Sequence, residues 1–77
     1  MGNGNHKTVN SPVPGKVVEV KTTAGAEVKR GDLMVIVEAM KMYNRVLTPF
    51  NGVVKEIVVS VGQKVSTSDP LVIIEAE

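Results

Sequence analysis

The chain has 77 residues, nine Lys and Arg against eight Asp and Glu, a formal net charge of +1, and no cysteine or tryptophan. This length predicts one domain with one core, and the lack of cysteine excludes a disulfide framework, a thiolate zinc site and a cysteine nucleophile. Scattered basic residues and only two aromatic side chains argue against a nucleic-acid partner, and no apolar run approaches the ~20 residues needed for membrane insertion.

The first nine residues differ in composition from the rest of the chain. They contain Gly, Asn and Lys without an apolar period, and we expect residues 1–9 to form a flexible tail or linker remnant in which His6 is inert. After them, segments rich in Val and Ile predict short strands, because branched side chains favour the extended backbone. The first predicted strands cover residues 15–20, 27–29 and 33–38, and three equivalent strands follow 37 residues later.

An internal repeat relates the two parts of the chain. Residues 11–39 align without a gap on residues 48–76, and eleven of the 29 aligned positions are identical, where chance would give about two or three. Gly25 and Gly62 mark matching turns at which we expect a positive φ. Four matched apolar pairs are predicted in the core: Val17 with Val54, Val20 with Ile57, Val28 with Val65, and Val35 with Val72. We therefore predict an all-β flattened barrel or sandwich of two facing sheets with pseudo-two-fold symmetry.

One turn of the second half departs from the repeat. Ser68 stands where the first half has Gly31, and Pro70 stands where it has Leu33, although an aspartate is shared. Since turn type depends on which positions hold glycine and proline, we expect the second turn to be built differently from the first.

The segment between the halves, Met40 to Leu47 (MKMYNRVL), has no counterpart in the alignment. A connection between two strand ends is a hairpin tip, which would place Lys41 in solvent on two flanking strands. An exposed lysine is ordinarily a solubilising charge, and methionines ordinarily fill gaps in a core. Met40 and Met42 lie where little core is available, however, so we interpret them as a label that another protein reads.

The sequence Glu-Ala-Met-Lys-Met at residues 38–42, set between two homologous β halves, resembles the attachment hairpin of the biotinyl domain, or biotin carboxyl carrier protein, of biotin-dependent carboxylases and decarboxylases. The Pro-x-Pro-Gly start at residues 12–15, the Gly-Asp turn at residues 31–32 and the segment 48–54 also match. The resemblance implies that residues 10–77 are a biotinyl domain of two four-stranded antiparallel sheets, with the modified lysine at one end and both termini at the other. The ungapped repeat leaves no room for a protruding thumb, so the chain resembles the thumbless type.

The resemblance also implies a function for Lys41. A biotin protein ligase would form biotinyl-adenylate, and the amine of Lys41 would attack it to form an amide, with Glu38, Ala39, Met40 and Met42 recognised by the ligase. The attached biotin would carry a carboxyl group between biotin carboxylase and carboxyltransferase or decarboxylase subunits or domains in the cytoplasm, in some systems as part of a membrane-associated complex. The chain would be a carrier without catalytic residues of its own.

Other functions fit the residues less well. A lipoyl domain shares the duplicated barrel but typically has Asp-Lys-Ala at its tip where this chain has Met-Lys-Met, and an unmodified adaptor barrel would not need a lysine between two methionines. The segment Tyr43-Asn44-Arg45 departs from the family, which often has an acidic residue there. An autonomous enzyme is not expected either, because the carboxylates that could serve in catalysis lie at positions related by the repeat, and duplication explains them. Those carboxylates are Glu19, Glu38, Glu56 and Glu75. No cluster of ligand residues predicts a metal site.

Overall fold

The computed structural model of the protein describes residues 5–77, and all the regular structure in this range is β-strand. None of these residues belongs to a helix that is long and apolar enough to cross a membrane. The strands in chain order are β1 (Asn5–Asn10), β2 (Gly15–Val20), β3 (Glu27–Val28), β4 (Leu33–Ala39), β5 (Met42–Leu47), β6 (Gly52–Ile57), β7 (Lys64–Val65) and β8 (Pro70–Ala76).

The strands form two four-stranded antiparallel sheets, in the orders β1-β8-β6-β3 and β5-β4-β2-β7. In the first sheet the central strands β8 and β6 belong to the second half of the chain, while the edge strands β1 and β3 belong to the first half. The second sheet has the reverse arrangement. The two halves therefore exchange strands, and the predicted all-β fold of two four-stranded sheets is confirmed.

One apolar cluster fills the space between the sheets, as expected when two sheets each bury one face. Three of the predicted core pairs are buried in it, and the fourth, Val20 with Ile57, is half-buried and packs against it. The buried pairs are Val17 with Val54, Val28 with Val65, and Val35 with Val72.

The repeat also extends to polar contacts. The hydroxyls of Ser11 and Thr48 are both buried, and each donates to the carbonyl oxygen two residues later, at 2.6 and 3.1 Å.

The structure departs from the predicted tail at residues 5–9, which lie in β1. This strand pairs with β8 from Asn5 opposite Ala76 to Asn10 opposite Pro70, and its Val9 is only 3% exposed. Without β1, the backbone N–H and C=O groups along one side of β8 would lose their ladder partners. The rest of the predicted tail, residues 1–4, lies outside the described residues.

Strand β1 is also the counterpart of β5, so the prediction that Met40 to Leu47 has no counterpart was wrong for residues 42–47. In β5, Met42 lies opposite Ala39, just as Asn5 lies opposite Ala76 in the other sheet. The offset is the same 37 residues, and Val46 is buried at 4% exposure as its counterpart in β1 is at 3%. Within the hairpin connection, only residues 40 and 41 remain without a described equivalent.

The prediction of a differently built second turn was also wrong. Gly31 has a φ of 97°, and Ser68 adopts the same left-handed region with a φ of 73°. In each turn the aspartate carboxylate accepts a backbone N–H from the residue three positions earlier, at 2.9 Å for Asp32 and 2.7 Å for Asp69. The hydrogen bonds of the turn hold Ser68 in a conformation that glycine adopts more easily. Matching turns at Gly25 and Gly62, with φ of 91° and 94°, confirm the expected positive values.

Candidate functional site

Lys41 lies at the tip of the hairpin formed by β4 and β5. The last cross-strand pair joins Ala39 to Met42, which leaves Met40 and Lys41 as a two-residue connection. Both connecting residues have positive φ, 54° and 65°. Positive φ at both central positions is the pattern of a type I′ turn, whose twist matches that of the flanking strands. The sequence therefore located the tip correctly.

The residues in this turn are unusual for its geometry. Type I′ turns favour Asn-Gly, because a side chain with a Cβ in the left-handed region costs roughly 1–2 kcal/mol. Neither Met40 nor Lys41 has the features that reduce this cost. Such backbone strain persists only where the surrounding structure imposes it, and it is concentrated at functional sites. The tip is therefore held in place by its strands rather than by its own preference.

Two features at the base of the hairpin provide this support. Val37 is fully buried in β4, and its carbonyl oxygen accepts a hydrogen bond of 3.3 Å from the side-chain amide of Asn44 in β5. Strand β2 passes close to β4 at Gly15, where a Cβ would overlap the carbonyl oxygen of Glu38 and lie 2.9 Å from a methyl carbon of Val37. Gly15 thus permits a close approach of backbones beneath the tip. The repeat of this residue at Gly52, where a Cβ would overlap the carbonyl oxygen of Glu75, was the signal in the sequence for that role.

The tip exposes three large side chains: 94% of Met40, 67% of Met42 and 71% of Tyr43 are accessible to solvent. Lys41 between them is also exposed. The one ion pair among residues 5–77 joins Lys21 to Glu19 at 3.8 Å, so no carboxylate holds the ammonium of Lys41 in this part of the chain. The hairpin therefore presents a solvated amine flanked by two exposed thioethers.

The remaining predicted recognition residues lie lower in the hairpin. Glu38 and Ala39 are half-buried at the end of β4, and Glu38 lies opposite Tyr43. All five predicted site residues are thus brought together on one hairpin, but only three are at its exposed tip. Within residues 5–77 no group of three or more His, Asp and Glu side chains could hold a metal ion. The chemistry that this arrangement can offer is that of an accessible primary amine, which forms an amide when another protein activates the acyl group and removes the proton.

Comparison with known proteins identifies one matching family and several related proteins. The sequence profile of a family described as biotin-requiring enzyme matches residues 7–74. The chain is 48% identical over 40 residues to the gamma subunit of methylmalonyl-CoA decarboxylase from Veillonella parvula, covering 52% of this chain and 31% of that subunit. It is 45% identical over 40 residues to the gamma subunit of glutaconyl-CoA decarboxylase from Acidaminococcus fermentans, covering 52% of this chain and 28% of that subunit. The matched segment thus spans less than a third of these relatives.

Solved structures share the fold over almost the whole chain. A single-chain, multi-domain long-chain acyl-CoA carboxylase superposes with a TM-score of 0.89 and 31% identity, covering 100% of this chain and 8% of that one. Urea carboxylase from Kluyveromyces lactis superposes with a TM-score of 0.87 and 26% identity, covering 96% of this chain and 6% of that one. The chain therefore resembles a small domain within much larger carboxylases.

The residues of the hairpin fit the group that this family implies. Covalent attachment of biotin requires a primary amine that an enzyme can reach from solvent, and Lys41 is exposed with no carboxylate partner among the described residues. Its neighbours Met40 and Met42 are also exposed, so no packed side chain covers the tip. The chain belongs to the biotin-requiring enzyme family and is a biotin carrier domain.

Proposed function

We propose that Lys41 is the residue to which biotin is attached and that the domain carries a carboxyl group between the active sites of a biotin-dependent carboxylase or decarboxylase. The observation that supports this proposal is the type I′ tip, which holds one solvated amine beyond the end of both strands. When bound, biotin supplies a ureido nitrogen that accepts and donates the carboxyl group. The protein supplies the position of that group.

The hairpin suits a carrier because it separates a mobile arm from a rigid support. The side chain of Lys41 has four methylenes that rotate freely in solvent, while the adjoining β4 is anchored by Val35 and Val37, both fully buried. Tethering raises the local concentration of the carried group at each active site, so weak and transient docking is sufficient. The chain needs no catalytic group for this role, because both reactions take place in partner active sites.

We further propose that a biotin protein ligase recognises the tip through Met40 and Met42. These side chains are the large apolar groups nearest to Lys41, and their exposure gives a partner direct access to them. Methionine is flexible and polarizable, which suits a surface that is bound briefly and released. Glu38 and Ala39 belong to the same proposed recognition segment; they are half-buried and pair with Tyr43 and Met42 at the end of the hairpin.

The relatives indicate the kind of assembly in which the domain works. Two of them are named as gamma subunits of acyl-CoA decarboxylases, and others are pyruvate carboxylases, including the mitochondrial human enzyme, 44% identical over 34 residues. We propose that the partners of this domain are the carboxylase and the carboxyltransferase or decarboxylase subunits or domains of such a system. The proposed location is the cytoplasm, alone or at the cytoplasmic side of a membrane-associated complex.

The test is the intact mass of the protein after incubation with biotin, ATP and a biotin protein ligase. We expect one biotinyl addition to the wild type and none to Lys41→Arg, which keeps the charge but removes the reactive amine. Lys55→Arg, at an exposed lysine on β6, is the matched control and is expected to accept biotin normally. Addition to Lys41→Arg would contradict the assigned residue. Addition of lipoate by a lipoate ligase, with no biotin, would replace the proposal with a lipoyl carrier, and addition of neither would favour an adaptor.

A further inference from the structure

A shallow groove of about 190 Å³ adjoins Lys41 on one side of the hairpin. The loop before β2 forms one wall of this groove, and the ends of β4 and β5 form the other. Met40 and Met42, which precede and follow Lys41, both lie on it, so a group held on Lys41 is within its reach. The residues that line this tip groove are Val13, Pro14, Ala39, Met40, Met42 and Asn44.

The lining of the tip groove is apolar apart from one amide. Val13 packs against the core and is therefore a fixed part of the wall, whereas the two methionines can adapt to the shape of a ligand. Asn44 donates its NH₂ group to the carbonyl oxygen of Val37, and its own carbonyl oxygen is an acceptor of the kind that a ureido N–H requires. Apolar walls with a single orienting polar group are typical of sites for small ring systems.

The repeat provides an internal comparison, because the same backbone positions occur at the end of the other sheet. Met40 lies in the turn and has no described equivalent. Of the equivalents of the other five lining residues, one is charged and two are asparagine, and Ala76 matches Ala39. The equivalents of Val13, Pro14, Ala39, Met42 and Asn44, in that order, are Phe50, Asn51, Ala76, Asn5 and Lys7. The apolar lining is therefore not a requirement of the fold. It is confined to the end that carries Lys41.

We propose that the tip groove binds the fused ring of the biotin attached to Lys41 and so holds the arm in a docked resting state. This inference rests on the proposed function, since it requires Lys41 to carry biotin. The residues that would make the apolar contact are Val13, Pro14 and Met42, and Asn44 would orient the ureido group.

The tether makes weak binding sufficient for docking. A short flexible tether gives an effective concentration on the order of 1 mM, so a groove with an intrinsic dissociation constant near that value would be occupied about half of the time. An active site that binds the ring more tightly would still withdraw it. Docking would therefore shield the apolar ring from water between reactions without preventing transfer.

The first measurement is a nuclear Overhauser spectrum of the fully biotinylated protein, with the modification verified by intact mass. We expect contacts between ring protons and the methyl groups of Val13 and between ring protons and Pro14. These residues are distant in sequence from Lys41, so the covalent modification alone does not bring them near the ring. Contacts confined to residues 40–42 would overturn the inference.

The second measurement is the rate of capture by avidin, which can enclose the ring only when it is undocked. Pro14→Asp places a charge in the groove at an exposed position, and Pro12→Asp is the control at an exposed proline outside it. We expect avidin to capture Pro14→Asp up to about twofold faster than the wild type, in proportion to the undocked fraction, and to capture Pro12→Asp at the wild-type rate.

The two proposals fail in different ways. If the mass shows no biotin on Lys41, both the proposed function and the docking inference are overturned. If the mass shows biotin but the spectrum has no contact to residues 13 and 14, the tip groove is empty and only the docking inference is overturned. Equal capture rates for the three proteins would overturn it in the same way. Since the spectrum is recorded on the wild type, a folding defect in a variant cannot remove this distinction.

Discussion

Replacing Ser68 with glycine should stabilise the protein, and replacing Gly31 with serine should destabilise it. The two residues occupy the same place in the two halves, with φ of 73° and 97°, and each follows the same arrangement of turn hydrogen bonds. Both are exposed, and a Cβ on Gly31 would meet no atom within 4 Å. The substitutions therefore change the backbone preference and almost nothing else.

The magnitude follows from two opposing terms. A residue with a Cβ costs roughly 1–2 kcal/mol in the left-handed region, whereas glycine loses about 0.4–1 kcal/mol more conformational entropy on folding. The difference gives an expected gain of about 0.5–1 kcal/mol in the free energy of unfolding for Ser68→Gly. Gly31→Ser should lose a similar amount. The double exchange should restore the wild-type value, because the two turns are separate and their effects add.

The assay is urea or thermal unfolding followed by circular dichroism, in which 1 kcal/mol corresponds to a shift of about 4–8 °C in Tm for a domain of this size. An unchanged or lower stability of Ser68→Gly would refute the reasoning. So would a double exchange that differs from the wild type by as much as either single variant, since the strain would then not reside in the backbone of these turns.

Two further predictions concern the base and the tip of the hairpin. Gly15→Ala should lower the free energy of unfolding, measured by urea unfolding, by about 3 kcal/mol, because its Cβ would overlap the carbonyl oxygen of Glu38. An unchanged free energy of unfolding would contradict the close approach of β2 to β4. Met40→Asn should raise the free energy of unfolding by about 0.5–1 kcal/mol, because asparagine tolerates positive φ. The same substitution should slow biotinylation by the ligase, and a rate equal to that of the wild type, measured by intact mass over time, would argue against recognition of Met40.

The residues of the candidate site were easier to predict from the sequence than the edge strands of the two sheets. Met40, Lys41 and Met42 are adjacent in the chain, so their chemistry could be interpreted before their positions were known. The central strands of both sheets could be predicted because each is a short run rich in Val, Ile and Leu that follows turn residues, as in β4 and β8. Residues that come together only in three dimensions, such as Pro14 beside Met42, give no such signal.

Strand β1 shows why the edges were missed. It has one buried side chain in six, Val9, and its counterpart β5 likewise has one, Val46, as is usual when an edge strand turns most of its residues to solvent. One shared valine is too little to reveal either a strand or a repeat. The Ser68 turn was missed for a different reason: composition indicates which residue prefers positive φ, but tertiary hydrogen bonds decided which residue adopts it.

The exchange of edge strands between the halves has a consequence for the origin of the fold. In a half on its own, the two central strands would pair with each other, but their outer edges would have no partner strands. A second copy of the same half, related by a true two-fold axis, could supply those edge strands. The domain is thus organised as a symmetric homodimer whose subunits have been joined into one chain. A dimer of identical halves must present the same residues at both ends. Once fused, the ends were free to diverge, so that methionine and asparagine stand at positions 42 and 44 of one end where asparagine and lysine stand at positions 5 and 7 of the other.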